Sequence, residues 1–275
     1  MKQQFSRILD NAICGAMTVL TVLTLAFLIV PLLVVIVTSF NPTTVTFPPR
    51  AWSLASYSLI PPVAIDAFFR SLALGVASAI LAVVLCVPAA IALVKGRMRG
   101  RAPIEMLLRS PLQFPAIILG VAFLQYFFFW QNALKIPLVG TFGAVLIAHT
   151  VYIFPFVLVP VIARLSGPDA RWEEAAAGLG ASTFTIMARV VIPLMRPGIV
   201  AGMFMGFVMS FEDVAVTLFL VGSNMTTFPI YLFGSAEVSN TPNLYAGASL
   251  GALVALSLVL LVERFVGLRT VLSKG

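Results

Sequence analysis

The chain has 275 residues, of which 60% are hydrophobic and only 10% are charged, and its mean hydropathy is +1.07. A soluble globular domain carries about 25% charged residues, so this composition excludes a water-soluble globule and indicates a membrane protein. The formal net charge is +7. The basic residues punctuate apolar segments, which is typical of membrane topology and argues against nucleic-acid binding. The two cysteines, Cys14 and Cys86, lie in or near apolar runs and are interpreted as small buried hydrophobes.

Six apolar stretches reach the roughly 20 residues that a helix needs to cross a bilayer. The predicted spans are Met17–Ser39, Ser71–Val94, Leu112–Trp130, Gly140–Ala163, Gly198–Val221 and Leu244–Val262. The first apolar run is too long for the core of a cleaved signal peptide, so we expect an uncleaved first span. The predicted fold is an all-α membrane protein, a single domain over residues 1–275 with six transmembrane helices.

The basic residues predict the orientation of these spans. All but three of the 17 Lys and Arg residues precede span one, follow span six, or lie between spans two and three or four and five. The three exceptions are Arg50, Arg70 and Lys135. By the positive-inside rule both termini are cytoplasmic, and so is the segment 164–197 between spans four and five.

Segment 164–197 contains "EEAAAGLGASTFTIMARVVIPLMRPG" and predicts a hairpin of two short helices. The first helix is predicted to run to about Leu179, with Gly178 and Gly180 available to end it, and Ser182 can cap the second. The second helix is predicted to stop near Val191, because Pro193 disfavours a helical residue in front of it. A loop lying on the membrane surface is the alternative. Against it, Ala176 and Gly180 share a small-residue face that suits docking into a protein cleft.

The hairpin resembles the "EAA" loop of binding-protein-dependent ABC importer permeases, in which Glu-Ala-Ala is followed by three residues, Gly, nine residues and Ile-x-Leu-Pro. The matching residues are Glu174, Ala175, Ala176, Gly180, Val190, Ile192 and Pro193. Valine for isoleucine and isoleucine for leucine are conservative departures. The segments "SFNPTTVTFPPRAWSLASYSLI" and "EDVAVTLFLVG", with the order of the six spans, are similar to the polyamine-type branch of that family.

The resemblance implies a division of labour in the inner membrane of a bacterium. The chain would be a permease that pairs with a second, homologous permease or with a copy of itself. The hairpin of each permease would seat in a groove on one of two cytoplasmic ATPase subunits, where Glu174 would contact a basic group and Gly180 would permit the turn. An extracytoplasmic binding protein would deliver a small solute, a polyamine or another amine-bearing compound.

The chain would then be no enzyme and would hold no cofactor of its own. It has no P-loop pattern, so ATP and Mg would be bound by the partner ATPase. We find no catalytic set and no metal-ligand cluster. The sole histidine, His149 in span four, is predicted to be packed and hydrogen-bonded rather than a proton relay or a ligand.

An ion-coupled secondary transporter is the alternative function, and a membrane-embedded enzyme is a more remote one. A secondary transporter needs residues for the coupling ion and usually has inverted repeats. Spans one to four carry almost no charge near the middle of the bilayer, which argues against this class.

Span five carries two informative features. Gly198, Gly202 and Gly206 recur at a spacing of four and predict close helix packing, with a direct role in the pore as the alternative. Glu212 and Asp213 follow in the outer half of the bilayer. A single charged side chain near the centre of the bilayer costs about 2.5–3.5 kcal/mol.

This acidic pair either forms an ion pair with the partner permease or lines the translocation path. In the second case Thr217, one turn after Asp213, would extend the polar face. Carboxylates at the outer mouth attract cations, so this interpretation predicts a cationic or amine-bearing cargo.

Overall fold

The structure is a computed structural model, and it describes residues 2–42, 47–96, 98–166, 171–222, 225–239 and 241–262. Over these ranges it is mostly helical and contains no β-strand, which confirms the predicted all-α fold. The helices are α1 (Lys2–Thr38), α2 (Ala55–Ser58), α3 (Pro62–Lys95), α4 (Arg101–Leu108), α5 (Ala116–Leu134), α6 (Phe142–Leu165), α7 (Arg171–Gly178), α8 (Thr183–Ile186), α9 (Ile192–Phe211), α10 (Phe228–Val238) and α11 (Pro242–Val262).

Five stretches of described helix are long and apolar enough to cross a membrane, and they overlap the first five predicted spans. They are Ile13–Thr38, Pro62–Lys95, Ala116–Leu134, Phe142–Leu165 and Thr183–Phe211. The sixth predicted span, Leu244–Val262, lies within α11, a helix of 21 residues that is not among these five. The membrane class is thus confirmed, and the count of six spans stays a prediction.

The start predicted for span three is wrong. Leu112 belongs to a separate 3₁₀ turn, Ser110–Leu112, and the spanning helix α5 begins only at Ala116. Pro115 occupies the N-cap position of α5. The residue before a proline is pushed out of the helical region, so Phe114 separates the two elements.

The chain divides into two compact units. The first comprises residues 1–61 and 235–254 and holds α1, α2 and the first part of α11. In this unit the hydroxyl of Tyr57 lies 2.7 Å from Ser39 Oγ and 2.8 Å from Ser249 Oγ. These hydrogen bonds tie the segment that follows α1 to α11.

The second unit comprises residues 62–234 and 255–275 and is built around α3, α6 and α9. Apolar side chains from these helices and from the residue just before α9 form its largest buried cluster. The members are Ala82, Cys86, Ala90, Leu93, Ile153, Val157, Leu158, Val161, Ile162, Val191 and Met195. The functional features described below all lie in this unit.

The glycines of α9 lie against α6. A Cβ built on Gly198 would be 2.7 Å from the carbonyl oxygen of Pro160, and one built on Gly202 would be 2.9 Å from that of Val157. At Gly206 it would lie 3.0 Å from a methyl carbon of Val157. The backbones of α6 and α9 thus approach closely along the small-residue stripe.

Candidate functional site

The first helix of the hairpin, α7, ends in a turn that depends on glycine. The amide of Gly180 donates to the carbonyl of Ala177 at 3.0 Å, and the amide of Ala181 donates to that of Ala176 at 3.1 Å. This pair of bonds is a Schellman motif, which needs a left-handed residue after the helix. Gly180 supplies it with φ of +80°. Among the described residues, apart from its two chain neighbours, none has an atom within 4 Å of a Cβ built on Gly180, so the backbone conformation, not packing, selects glycine.

The second helix of the hairpin departs from the sequence prediction. Ser182 caps α8, and its Oγ accepts from the amide of Thr185 at 3.3 Å. The chain then passes through a π-helical turn, Met187–Val191, directly into α9, so the predicted stop before Pro193 is wrong. Pro193 lies in the first turn of α9, where a missing backbone N–H costs the helix little stability. The π turn before it changes the register of the backbone hydrogen bonds. The helical path therefore continues from Thr183 to Phe211.

Helix α7 has an exposed face and an inward face. Glu174 and Ala175 are exposed, whereas Glu173 and Ala176, three residues apart, are half-buried. The carboxylate of Glu173 forms an ion pair with the ammonium group of Lys95, the last residue of α3. Sequence reasoning missed this pair, because no local spacing relates residues 78 positions apart.

The hairpin also exposes large apolar side chains around its turn. Leu179 is 89% exposed and Phe184 is 83% exposed. They lie on either side of Gly180 in sequence, and Trp172 on α7 is exposed as well. An apolar surface of this kind next to the carboxylate of Glu174 suits contact with another protein.

The remaining motif residues lie where the π turn meets α9. Ile192 is exposed, and Val190 and Pro193 are half-buried. Between them Val191 is buried in the cluster formed with α3 and α6. The junction is thus anchored in the core of the unit through Val191, a residue that the motif did not single out.

A buried polar cluster lies at the other end of α9. His149 on α6 is fully buried, with Nδ1 at 2.7 Å from Ser210 Oγ and Nε2 at 2.8 Å from Thr217 Oγ1. Ser78 on α3 donates from its hydroxyl to Ser210 Oγ at 2.9 Å. The prediction of a packed, hydrogen-bonded histidine is confirmed, and the cluster joins α3, α6 and α9.

Asp213 holds the turn that follows α9. Its carboxylate accepts from the amides of Val216 at 3.2 Å and Thr217 at 2.9 Å, and from the Thr217 hydroxyl at 2.7 Å. The same carboxylate lies 3.6 Å from Nε2 of His149. Asp213 is only 7% exposed, so its charge is surrounded by donors inside the protein.

The outer end predicted for span five, Val221, is therefore wrong. Helix α9 stops at Phe211, and Glu212 is its C-cap residue. The amides of the next residues donate to the Asp213 carboxylate instead of to helical carbonyls, which turns the chain away. Glu212 is exposed, whereas Asp213 and Thr217 are buried and bonded to each other. The two acids thus have different surroundings.

Residues 76–268 match the family described as "Binding-protein-dependent transport system inner membrane component". The match takes in the hairpin, the polar cluster and most of the second unit. The chain belongs to this family. It is therefore the permease of an ABC importer, as the motif predicts, and not an ion-coupled secondary transporter.

Two relatives and one solved structure illustrate the membership. The spermidine/putrescine transport system permease protein PotC of Escherichia coli (strain K12) is 32% identical over 239 residues, which cover 86% of this chain and 88% of PotC. The putrescine transport system permease protein PotI of the same organism is 29% identical over 235 residues, 84% of each chain. The predicted likeness to polyamine permeases is confirmed.

The solved structure is the crystal structure of a bacterial ABC transporter involved in the import of the acidic polysaccharide alginate. It superimposes with a TM-score of 0.66 over 94% of this chain and 96% of that chain. The two sequences are 18% identical, so this likeness shows the fold of the permease alone.

Proposed function

We propose that this permease carries a polyamine or another amine-bearing solute across the inner membrane of a bacterium. The names of its relatives PotC and PotI, which give spermidine and putrescine, support the choice of cargo. In this proposal residues 1–275 act as one permease domain and form half of the translocation path. A homologous permease or a second copy of this chain forms the other half.

The hairpin of α7 and α8 is the observation that carries the proposed mechanism. We assign Glu174, with the exposed apolar residues Leu179 and Phe184, to docking on a cytoplasmic ATPase subunit. Two such subunits serve the two permeases and bind ATP and Mg, so this chain holds no cofactor and performs no hydrolysis. When the ATPases close, each hairpin moves, and the continuous helix from α8 to α9 transmits the movement into the membrane.

In the proposed orientation, both termini and the hairpin lie in the cytoplasm and the binding protein lies outside. The distribution of basic residues supports it. Helix α9 has 20 residues, and at 1.5 Å per residue it is about 30 Å long, close to the thickness of the hydrocarbon core. With the hairpin inside, Glu212 then lies at the outer end of the span.

The two acids at this end receive different roles. Asp213 and Thr217 hold the turn, since each is buried and bonded to the other. Glu212 is exposed at the end of α9 and is the carboxylate available to an incoming cation. An ion pair between Glu212 and the partner permease is the alternative.

Two substitutions of one residue test the coupling role of the hairpin. Gly180→Val introduces a β-branched side chain at φ of +80° and should abolish uptake, because the turn can no longer form. Gly180→Asn is the matched control, since asparagine tolerates the left-handed conformation, and should retain most uptake.

The measurement is ATP-dependent uptake of radiolabelled spermidine by the importer assembled with its ATPase, partner permease and binding protein. The amount of inserted subunit is determined in parallel. Normal uptake by Gly180→Val would overturn the coupling role of the hairpin. If the assembled importer imports another solute but not spermidine or putrescine, the coupling role of the hairpin is retained and the proposed cargo is wrong.

A further inference from the structure

We propose that the ion pair between Lys95 and Glu173 is a second mechanical link of the hairpin. In this proposal it fastens the inward face of α7 to the end of α3, so that a movement of the hairpin displaces α3 together with α9. Glu173 is thus a positioning residue for transport. The proposal rests on the coupling role given to the hairpin above.

The first argument is the path along the chain. From the hairpin, α8 continues through the π turn Met187–Val191 into α9, which makes a covalent link to one membrane helix. Helix α3 precedes the hairpin by more than 70 residues and has no such continuity with it. The salt bridge between Lys95 and Glu173 adds a direct contact between α7 and the end of α3, beside the buried cluster that Val191 shares with α3.

The second argument is the setting of the two charges. The side chains of Lys95 and Glu173 are 19% and 22% exposed, so water screens their attraction less than it screens that of a fully exposed pair. Lys95 lies in the last turn of α3, and Glu173 lies in the first turn of α7. Each charge has the sign that the dipole of its own helix favours. The pair is therefore stabilised by both helices that it joins.

The third argument is the contrast between two adjacent glutamates. Successive residues on a helix point about 100° apart, so Glu173 and Glu174 cannot face the same partner. Glu173 is half-buried and paired, whereas Glu174 is exposed and forms no ion pair with any residue that the structure describes. The first holds the hairpin on its own permease and leaves the second available for the ATPase.

The fourth argument is what α3 contacts. It packs along α6 and α9, and its Ser78 donates a hydrogen bond to Ser210 near the far end of α9. A displacement that enters α3 at Lys95 therefore reaches the polar cluster around His149. The two links, through α3 and through α9, meet at the end of the span where Glu212 is exposed.

A chemical cross-link tests the contact itself. A water-soluble carbodiimide joins a carboxylate directly to an amine in contact, and mass spectrometry of the digested importer identifies the linked peptides. We expect a link between Lys95 and Glu173 that Glu173→Gln removes and Glu174→Gln, the matched control, retains. A link from Lys95 to Glu174, or none to either residue, would overturn the proposal.

Charge reversal tests the mechanical role. Glu173→Lys or Lys95→Glu should cause a severalfold fall in spermidine imported per ATP hydrolysed while the ATPase still copurifies with the permease. The double variant with both reversals should recover the ratio. If the single variants keep the normal ratio, or the double variant stays as low as they are, the link has no role in coupling.

The comparison with Gly180→Val separates this proposal from the function on which it rests. If Gly180→Val abolishes uptake and Glu173→Lys leaves the spermidine imported per ATP unchanged, the hairpin has its coupling role and only the second link is wrong. If Gly180→Val also transports normally, the coupling role itself fails.

Discussion

The hydroxyl protons around His149 determine which of its ring nitrogens carries the hydrogen. The Asp213 carboxylate only accepts, so Thr217 donates its one hydroxyl proton to it and must accept from His149 Nε2–H. On the other side Ser210 Oγ lies 2.7 Å from Nδ1 and 2.9 Å from Ser78 Oγ, and the Ser78 hydroxyl also lies 2.7 Å from the carbonyl oxygen of Leu74. The Thr217 side of the network thus assigns a proton to Nε2.

Removing one hydroxyl from this chain of bonds should destabilise the protein. Ser210→Ala leaves His149 Nδ1 without its partner in a buried setting, whereas the Ser78 hydroxyl keeps the carbonyl of Leu74 at 2.7 Å. We expect a loss of about 1–2 kcal/mol in the free energy of unfolding. Thermal unfolding in detergent measures it, with Ser58→Ala at an exposed serine as the control. Equal stability of the two variants would show that the network contributes nothing.

At the scale of helices, the approach of α6 to α9 depends on the missing side chain of Gly202. A methyl group there would lie 2.9 Å from the carbonyl oxygen of Val157, and a backbone atom cannot move away as a side chain can. Gly202→Ala should therefore cost about 1–3 kcal/mol of stability through overpacking.

The matched control is Gly234→Ala on α10, where the added carbon would have no neighbour within 4 Å from the described residues outside its own helix backbone. Alanine has the higher helix propensity, so this variant should be neutral or slightly more stable. Both are compared by thermal unfolding of the purified permease. If Gly202→Ala is as stable as Gly234→Ala, the stripe does not set the helix approach.

Sequence reasoning succeeded for helix boundaries that local chemistry determines. One of the two glycines expected to end the first helix, Gly180, makes the turn, and Ser182 forms the predicted cap, because each acts on amides within a few residues. It failed at Pro193, because a π turn is a change of register that no single residue signals. It also failed after Phe211, where hydropathy continues although Asp213 diverts the backbone amides.

The residues of the candidate site were likewise predictable only where their signal is local in sequence. The EAA spacing predicts the exposed hairpin, and the lone intramembrane His149 predicts a hydrogen-bonded residue. The partners Ser78 and Lys95 come from α3, far away in sequence, and only the packing of α3 against the other helices brings them there. Contacts of this range have no periodic signal in one sequence.

For the whole permease, α9 separates the two regions to which we assign distinct tasks. The hairpin lies at its N-terminal end, and the polar cluster with Glu212 lies at its C-terminal end, about 30 Å away at 1.5 Å per residue. Both regions contact α3, one through Lys95 and the other through Ser78. An importer needs this arrangement, because ATP is used on one side of the membrane and the solute arrives on the other.

The charge at the outer end should therefore matter for a cationic solute. Glu212 is exposed, and in the proposed function a carboxylate there attracts a polyamine released from the binding protein. Glu212→Gln should lower spermidine uptake per inserted subunit severalfold at each concentration of loaded binding protein, whereas Glu212→Asp keeps the charge and should retain most uptake. Asp213→Asn removes an equal charge from the buried turn, so it should reduce the amount of folded subunit more than the uptake per subunit. Unchanged uptake by Glu212→Gln, or equal loss in Glu212→Gln and Glu212→Asp, would show that this carboxylate does not attract the cargo.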